Sequence, residues 1–399
     1  MSRTAGSRPL RGGPGRCGVA LVALVLGLPL AAGRAPAGVA VTAEAVRHRP
    51  RLVFETTGDR CDPPLAYVAS VDVDSTGTVH LLDIFGGVVR RLGADGRPLA
   101  PLRDGDGGRA VPGIPGLISV GADGVCYGVN TFCTDLVRYV PEGAPGTSLP
   151  IRGLDAMWPA GYAMRFVARD ADNFLWAMQR KDIVDGDFAK GTPAIPELLE
   201  VRDGRPRLLM RVAASPGAPA TIEVAETAYT LVHDGWDMLE TGEMVWADPD
   251  GSYRLRRGHP GDDATVVPLA EPNEDREVLA RATAQTLQGK RTRHVPRIAS
   301  VRWLDRDRIL VQPVARLDPD DRQSMGVYDV VDRDGARLAR VDLVVAHDPA
   351  HDRVFLTRGR LVHLLGVEDD LPPPGEPMPP AHDPSTVRIR CYDLRGIGK

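Results

Sequence analysis

The sequence predicts an all-β fold, a six-bladed β-propeller, on three observations. Short runs of alternating apolar residues recur along most of the chain. Polar turns rich in Gly, Asn and Asp separate them at a near-regular interval. No single group of these runs could bury both its faces alone, whereas several arranged radially can. Residues 68–92, VASVDVDSTGTVHLLDIFGGVVRRL, show the unit most clearly. Val68, Val71 and Val73 alternate up to the turn at 74–77, a second run spans 79–82 and ends on Asp83, and a third begins at Val88. Side chains on a strand alternate with period two, so this stretch reads as three strands joined by tight turns.

Taking Gly77 as the turn anchor, the same position recurs at Gly124, Asn173, Gly242, Asp307 and Asp352. These residue types suit turns that need positive φ or a side chain bonded to its own backbone. The spacings are 47, 49, 69, 65 and 45 residues, and three of them match the ~40–50 residues of a four-stranded blade. The two long intervals call for insertions. Residues 181–196 read as an extended loop, and 273–289 as a short helix with Asn273 at its start and Gly289 at its stop. The proline-rich LPPPGEPMPPAHDP reads as a disordered excursion before a closing strand at 386–392. An isolated strand at 51–57 precedes the first full repeat, and placing it beside 386–392 closes the ring without an open edge.

The first 37 residues carry Arg3, Arg8, Arg11 and Arg16, then an apolar run at 19–32 and the small-residue pattern Ala35-Pro36-Ala37. That order is the signature of a secretory signal peptide. The apolar run is shorter than the ~20 residues of a membrane span, and an uncleaved N-terminal anchor is the alternative. Residues 38–50 then read as a tether and 51–395 as the propeller, with a periplasmic or secreted location. Removing residues 1–37 takes away five arginines and no acid, leaving 44 basic against 53 acidic residues, a net charge of −9. An acidic domain of this kind excludes nucleic acid as the natural partner. Four cysteines remain, which permits a Cys126–Cys133 hairpin bridge and a Cys61–Cys391 bridge between the chain ends, or buried thiols.

The turns DSTGTVHLLD and GADGVCYGVN, with the outer hairpins RRLGADGRPLAPL, VRDGRPRLLMRV and VVDRDGARLARV, resemble NHL-like six-bladed β-propellers of exported bacterial proteins. The resemblance covers residues 51–395 and specifies fold more than activity. It implies two kinds of occupant for the central channel. Some such propellers are binding modules, and others are calcium-dependent lactonases or zinc-dependent lyases that gather metal ligands from several blades.

Six residues past each anchor stand Asp83, Asn130, Gln179, Asp248, Pro313 and Arg358, which on this register end the same strand of each blade. Their polar members form a candidate ligand-binding rim, set against the simpler reading that a strand-ending Asp bonds the turn that follows. Asp62, Asp72, Asp170 and Asp305 are acids placed to face a channel. His347 and His351 have metal-ligand spacing for a helix, but Pro349 and the repeat register put them in a turn. His80 reads as a satisfied strand histidine, and the five tryptophans as packing residues. Phosphate-loop, nucleophile-elbow and zincin motifs are all missing from the sequence. The expectation is therefore a monomeric exported binding module for a protein, peptide or saccharide, with no cofactor and no catalytic residue. The alternative is a metal-dependent hydrolase or lyase, lactonase-like, with Ca2+ or Zn2+ in the channel.

Overall fold

Among the described residues two edge strands come first, β1 (Val46–His48) and β2 (Arg51–Thr57), and antiparallel meanders follow one after another. A computed structural model describes residues 45–62, 64–84, 86–104, 115–130, 135–142, 144, 147–150, 161–180, 195–211, 234–248, 252–259, 264–270, 297–313, 322–348, 351–367 and 384–399. All of these belong to one compact unit. The first meander is β3 (Val68–Val73), β4 (Val79–Asp83), β5 (Val88–Leu92) and β6 (Pro98–Arg103). The second is β7 (Pro115–Val120), β8 (Cys126–Asn130), β9 (Asp135–Pro141) and β10 (Thr147–Pro150). A third holds β11 (Gly161–Ala168), β12 (Phe174–Arg180), β13 (Ile195–Arg202) and β14 (Arg205–Arg211). Next come β15 (Trp236–Met238), β16 (Met244–Ala247), β17 (Arg254–Gly258) and β18 (Thr265–Pro268). They are followed by β19 (Ile298–Trp303), β20 (Arg308–Pro313), β21 (Ser324–Asp332) and β22 (Arg337–Val344). The last set is β23 (Asp352–Thr357), β24 (Arg360–Leu365) and β25 (Arg388–Asp393).

Each meander pairs its strands in chain order, with three further pairings at the edges. β6 reaches β9 through Leu102↔Pro141 and Arg103↔Val140, which fuses the first two meanders into one eight-stranded sheet. β2 pairs antiparallel with β25 and supplies the fourth strand of the last sheet, the place the sequence reserved for it. Just before it, β1 adds in parallel to β22, with Val46 opposite Val341. Residues 46–57 therefore stitch the outer edges of two successive sheets.

The first strands of successive meanders lie side by side: β3 against β7, β7 against β11, β15 against β19, β19 against β23, and β23 back against β3. Side-chain bonds from Arg165 to Trp236 and Asp237 join β11 to β15. The result is a propeller-like arrangement of sheets around inner strands. Core packing follows the same geometry. Leu81 packs with Val362, Leu364 and Ile389 of the last sheet, whereas its chain neighbour Leu82 packs with Ile118, Val120 and Val137 of the second meander. Alternation along β4 thus feeds two separate cores, which is why every residue of that strand is buried. Phe166, Phe174 and Trp176 meet Tyr127, Val129 and Leu136 in the next interface. Trp236 and Trp303 fill later ones.

Four of the turns between first and second strands share one device. The Asp74 carboxylate accepts bonds from the N–H groups of Thr76 and Thr78, and Asp123 does the same for Val125. Asp170 and Asp305 bond the N–H groups of Asp172 and Asp307 in the same way. An Asp bonded to the backbone two residues on mimics a turn and fixes it locally.

The anchor chosen for the last meander, Asp352, is the first residue of its first strand, and the turn lies at Arg358–Gly359 instead. HDPAHD resembles the other turns in composition, so the register was set one strand early. Cys61, Cys126 and Cys391 are buried thiols rather than partners in bridges, although Cys61 and Cys391 share one core cluster. Cys391 lies opposite Phe54 and Val362 in the sheet, its position set by strand pairing. Cys133, residues 1–37 and the helix expected at 273–289 lie outside the described residues.

The outer turn at Gly335 sets a close approach between sheets. Gly335 has φ +89°, and a Cβ there would stand 2.1 Å from the Pro268 carbonyl oxygen of the preceding sheet. Gly124 also has a positive φ, +77°, but faces open space. Gly124→Ala is expected to lose roughly 1–3 kcal/mol from backbone strain alone, and Gly335→Ala clearly more. Urea denaturation of the two variants measures this, and equal losses would contradict the inter-sheet contact.

Candidate functional site

The inner strands place their polar side chains where neighbouring sheets converge. Asp72, the penultimate residue of β3, accepts the Val120 N–H at 2.7 Å and the Ser119 hydroxyl at 3.2 Å on one oxygen. Its other oxygen accepts the Val73 N–H at 2.8 Å and the Thr357 hydroxyl at 2.6 Å. Ser119 in turn accepts the Ala168 N–H at 3.0 Å. Asp237 accepts the Trp303 N–H at 2.8 Å and the Arg165 guanidinium at 2.7 Å.

Two arginines from different sheets lie beside this network, Arg165 against Asp237 and Arg302 against Asp234. Arg165 lies over the Trp236 ring, 4.5 Å from its centroid, and donates to the Trp236 carbonyl. Arg302 donates to the Asp234 carbonyl at 2.8 Å and pairs with the Asp234 carboxylate. Burial, reinforced by the neighbouring Arg302 cation, pulls the Arg165 guanidinium down to about 10 against the opposing pull of Asp237 and Asp234. It remains charged at neutral pH, balanced by the carboxylates beside it.

At the end bearing the first-to-second-strand turns, Arg358 reaches across to other sheets. It donates to the Val120 carbonyl, and its guanidinium lies 3.6 Å from Asp72 and 3.7 Å from Glu240. Arg358 is also one of two non-glycine residues with positive φ among those described, at 47°. A conformation that costs energy is held here by contacts to three other strands or turns.

The rim proposed from sequence is divided by the structure. Asp83, Asn130, Gln179 and Pro313 lie opposite Val68, Pro115, Tyr162 and Ile298, at the opening ends of the inner strands, so they share one end of their sheets. Asp248 follows β16 at the corresponding place. Arg358 belongs to the other end, because of the register in the last meander. The side chains of Asn130 and Gln179 lie outside the described set. Asp83 is fully buried and spent on structure, accepting from the N–H groups of Ala66, Tyr67 and Gly86 and from the Arg90 guanidinium. Asp248 is likewise buried between Arg254, at 2.5 Å, and Arg256, at 3.2 Å. Both act as the strand-ending acceptors that the simpler reading described.

Of the other acids, Asp62 is exposed, while Asp170 and Asp305 hold their own turns. Arg308 grips Asp305 at 2.6 Å; burial pushes that carboxyl up, but hydrogen bonds from Arg308 and Asp307 outweigh it and lower it. His80 sits 3.2 Å from Asp74 and His363 sits 3.0 Å from Asp352. Burial pushes the Asp74 carboxyl up, yet its bonds to His80, Thr76 and Thr78 hold it well below the usual carboxylate range. His347 and His351 fall in the irregular segment ahead of β23. Burial pushes the Cys61 and Cys391 thiols up to about 11 and Cys126 higher still, so none is a thiolate nucleophile at neutral pH. Sequence reasoning missed Arg165, Asp234, Asp237 and Arg302; polar residues interrupting apolar inner strands are the signal that marks them.

Among the described residues, no group of three or more His, Cys, Asp or Glu side chains is placed to hold a metal, and no helix is long and apolar enough to cross a membrane. The chain matches no protein-family model and no curated protein sequence. Solved structures similar to it include the calcium-binding protein regucalcin from Agrobacterium tumefaciens, at 12% identity and TM-score 0.41, covering 89% of this chain and 97% of that one. Virginiamycin B lyase from Staphylococcus aureus aligns at 6% identity and TM-score 0.40, covering 85% and 98%. A gluconolactonase from Xanthomonas campestris aligns at 14% identity and TM-score 0.38, covering 90% and 99%. Likenesses this distant assign no activity.

Asp237 ties three inner strands, so Asp237→Ala leaves the Trp303 N–H without its acceptor and Arg165 beside Arg302 without its hydrogen-bonded carboxylate. Removing one partner of a buried pair is expected to cost about 3–5 kcal/mol, read as a lower urea midpoint. A loss below about 1 kcal/mol, the value of an exposed pair, would contradict the arrangement.

Proposed function

We propose that this chain is an exported, NHL-like six-bladed β-propeller, with residues 51–395 forming the ring and 1–37 a signal peptide. Its role in this reading is to bind an extracytoplasmic protein, peptide or saccharide, without catalysis. Six blades are supported by the closed succession of inner strands β3, β7, β11, β15, β19 and β23. The fused edge at β6 and β9 is then a contact between the outer parts of two blades.

One observation carries the binding reading: the polar groups along the inner strands are consumed by one another. Asp72 and Asp237 spend their oxygens on N–H, hydroxyl and guanidinium donors, and Arg165, Arg302 and Arg358 each meet a carboxylate. General acid–base or nucleophilic catalysis needs a group held ready and aimed at open space. A calcium ion wants six or more oxygens, and zinc three or four free donors. The described inner-strand residues do not fit either shell.

Elemental analysis of the purified mature protein tests this reading. Calcium and zinc are expected far below one ion per chain. One tightly held ion per chain would overturn the reading in favour of the metal-dependent hydrolase or lyase.

A further inference from the structure

The last inner strand, β23, lies back against β3 and so makes the joint that closes the succession of sheets. Two neighbouring residues hold its opening end. Arg353 donates to the Val68 carbonyl at 2.7 Å and to the Tyr67 hydroxyl at 2.5 Å, which ties β23 to the start of the first meander. Asp352, the residue before it, is an acceptor for three groups. One of its oxygens takes the Asp348 N–H at 2.7 Å and lies 3.0 Å from His363 Nε2, and the other takes the Gly366 N–H at 3.3 Å. His363 on β24 therefore secures the carboxylate that fixes the start of β23.

An ionised carboxylate can only accept, so Nε2 carries the hydrogen of the neutral ring and Nδ1 is bare. His363 is fully buried, and its Nδ1 has no hydrogen-bond partner among the described residues. A proton added there would make a buried N–H with nothing to accept it. The charged groups facing the ring are Asp352 on β23, Arg390 opposite it on β25, and His347 ahead of β23. Arg390 is paired in turn with Glu55 on β2 at 2.6 Å, and Asp348 with Arg322 at 3.1 Å. Burial lowers the imidazole from its ordinary value; Asp352 pulls it up, and Arg390 and His347 lower it further. His363 thus supports the closed joint fully above about pH 6.5, the value of a free imidazole, and less as the pH falls below it.

We propose that the His363–Asp352 bond is an acid-sensitive latch on the joint between the last sheet and the first. Protonation favours a state in which the ring has left its sealed site for water. Asp352 then loses one of its three donors, and the hold of Arg353 on Tyr67 and Val68 loosens with it. His80 repeats the pairing, 3.2 Å from Asp74 and with Nδ1 also buried and unpartnered, but that bond stays within the first meander and fixes no joint. The latch is independent of the binding reading above, since it acts on the closure of the fold whether the chain binds a ligand or transforms one.

Amide exchange of the full mature chain between pH 7.5 and 5.5, corrected for the intrinsic effect of pH on exchange, tests the latch. Protection at Asp348 and Gly366 is expected to fall with pH by up to about tenfold, the ceiling an ordinary imidazole allows over that range. Leu304, bonded to the Arg308 carbonyl, is expected to keep its protection. His363→Gln retains an N–H donor for Asp352 and does not titrate, so the fall is expected to vanish in that variant. The ring's own titration, followed by NMR in the unaltered protein, is expected to have a midpoint below that of a free imidazole, and it decides the question should His363→Gln not fold. A midpoint at or above the free value, constant protection at Gly366, or an equal fall in His363→Gln would overturn the proposal.

Discussion

Sheets that radiate from a common line cannot pair their inner strands with one another, yet those strands are buried. Their outward N–H groups need acceptors, since an orphaned buried donor costs about 1–3 kcal/mol. The chain meets this with one repeated arrangement. The penultimate side chain of an inner strand accepts the final N–H of the next inner strand: Asp72 takes Val120, Ser119 takes Ala168, and Asp237 takes Trp303. Where the penultimate residue is Val167, no acceptor exists, and Arg165 makes the joint instead by donating to Trp236 and Asp237. At the last joint, Thr357 donates to Asp72.

This arrangement also accounts for the character of the candidate site. Short polar acceptors must sit on the inner strands, and the carboxylates among them must be neutralised because they are buried. Arginines from neighbouring sheets do that, and Arg358 adds a link across three parts of the ring at one end. Outside this line, hydrophobic packing takes over, each core shared by two sheets. The stitch formed by β1 and β2 covers edges that would otherwise be open to pairing with another chain.

Much of this architecture could be read from residues. The polar turns at Gly77, Gly124, Asn173, Gly242 and Asp307 carry strong local chemistry, and the pairing of β2 with β25 followed from counting strands. Local chemistry misled at HDPAHD, where a turn-like composition precedes a first strand, and Arg358 was assigned to the wrong end as a result. The parallel strand β1 was hidden because three residues have no periodicity to detect. Asp83 and Asp248 looked like a rim, but their partners Arg90, Arg254 and Arg256 follow six to eight residues later on the adjoining strand. The link between Asp72 and Val120 spans 48 residues, and no local pattern reports a bond between sheets.

The account rests on those bonds between inner strands, and amide hydrogen exchange on the Ser119→Ala variant tests them most directly. Ser119 is the acceptor for the Ala168 N–H and carries no charge, so the substitution removes that bond and the hydroxyl's own donation to Asp72, which keeps its three other donors. The Ala168 amide is predicted to exchange slowly in the unaltered protein and much faster in the variant, with the Val120 and Trp303 amides unchanged. Fast exchange at Ala168 before substitution, or equal protection after it, would contradict the account.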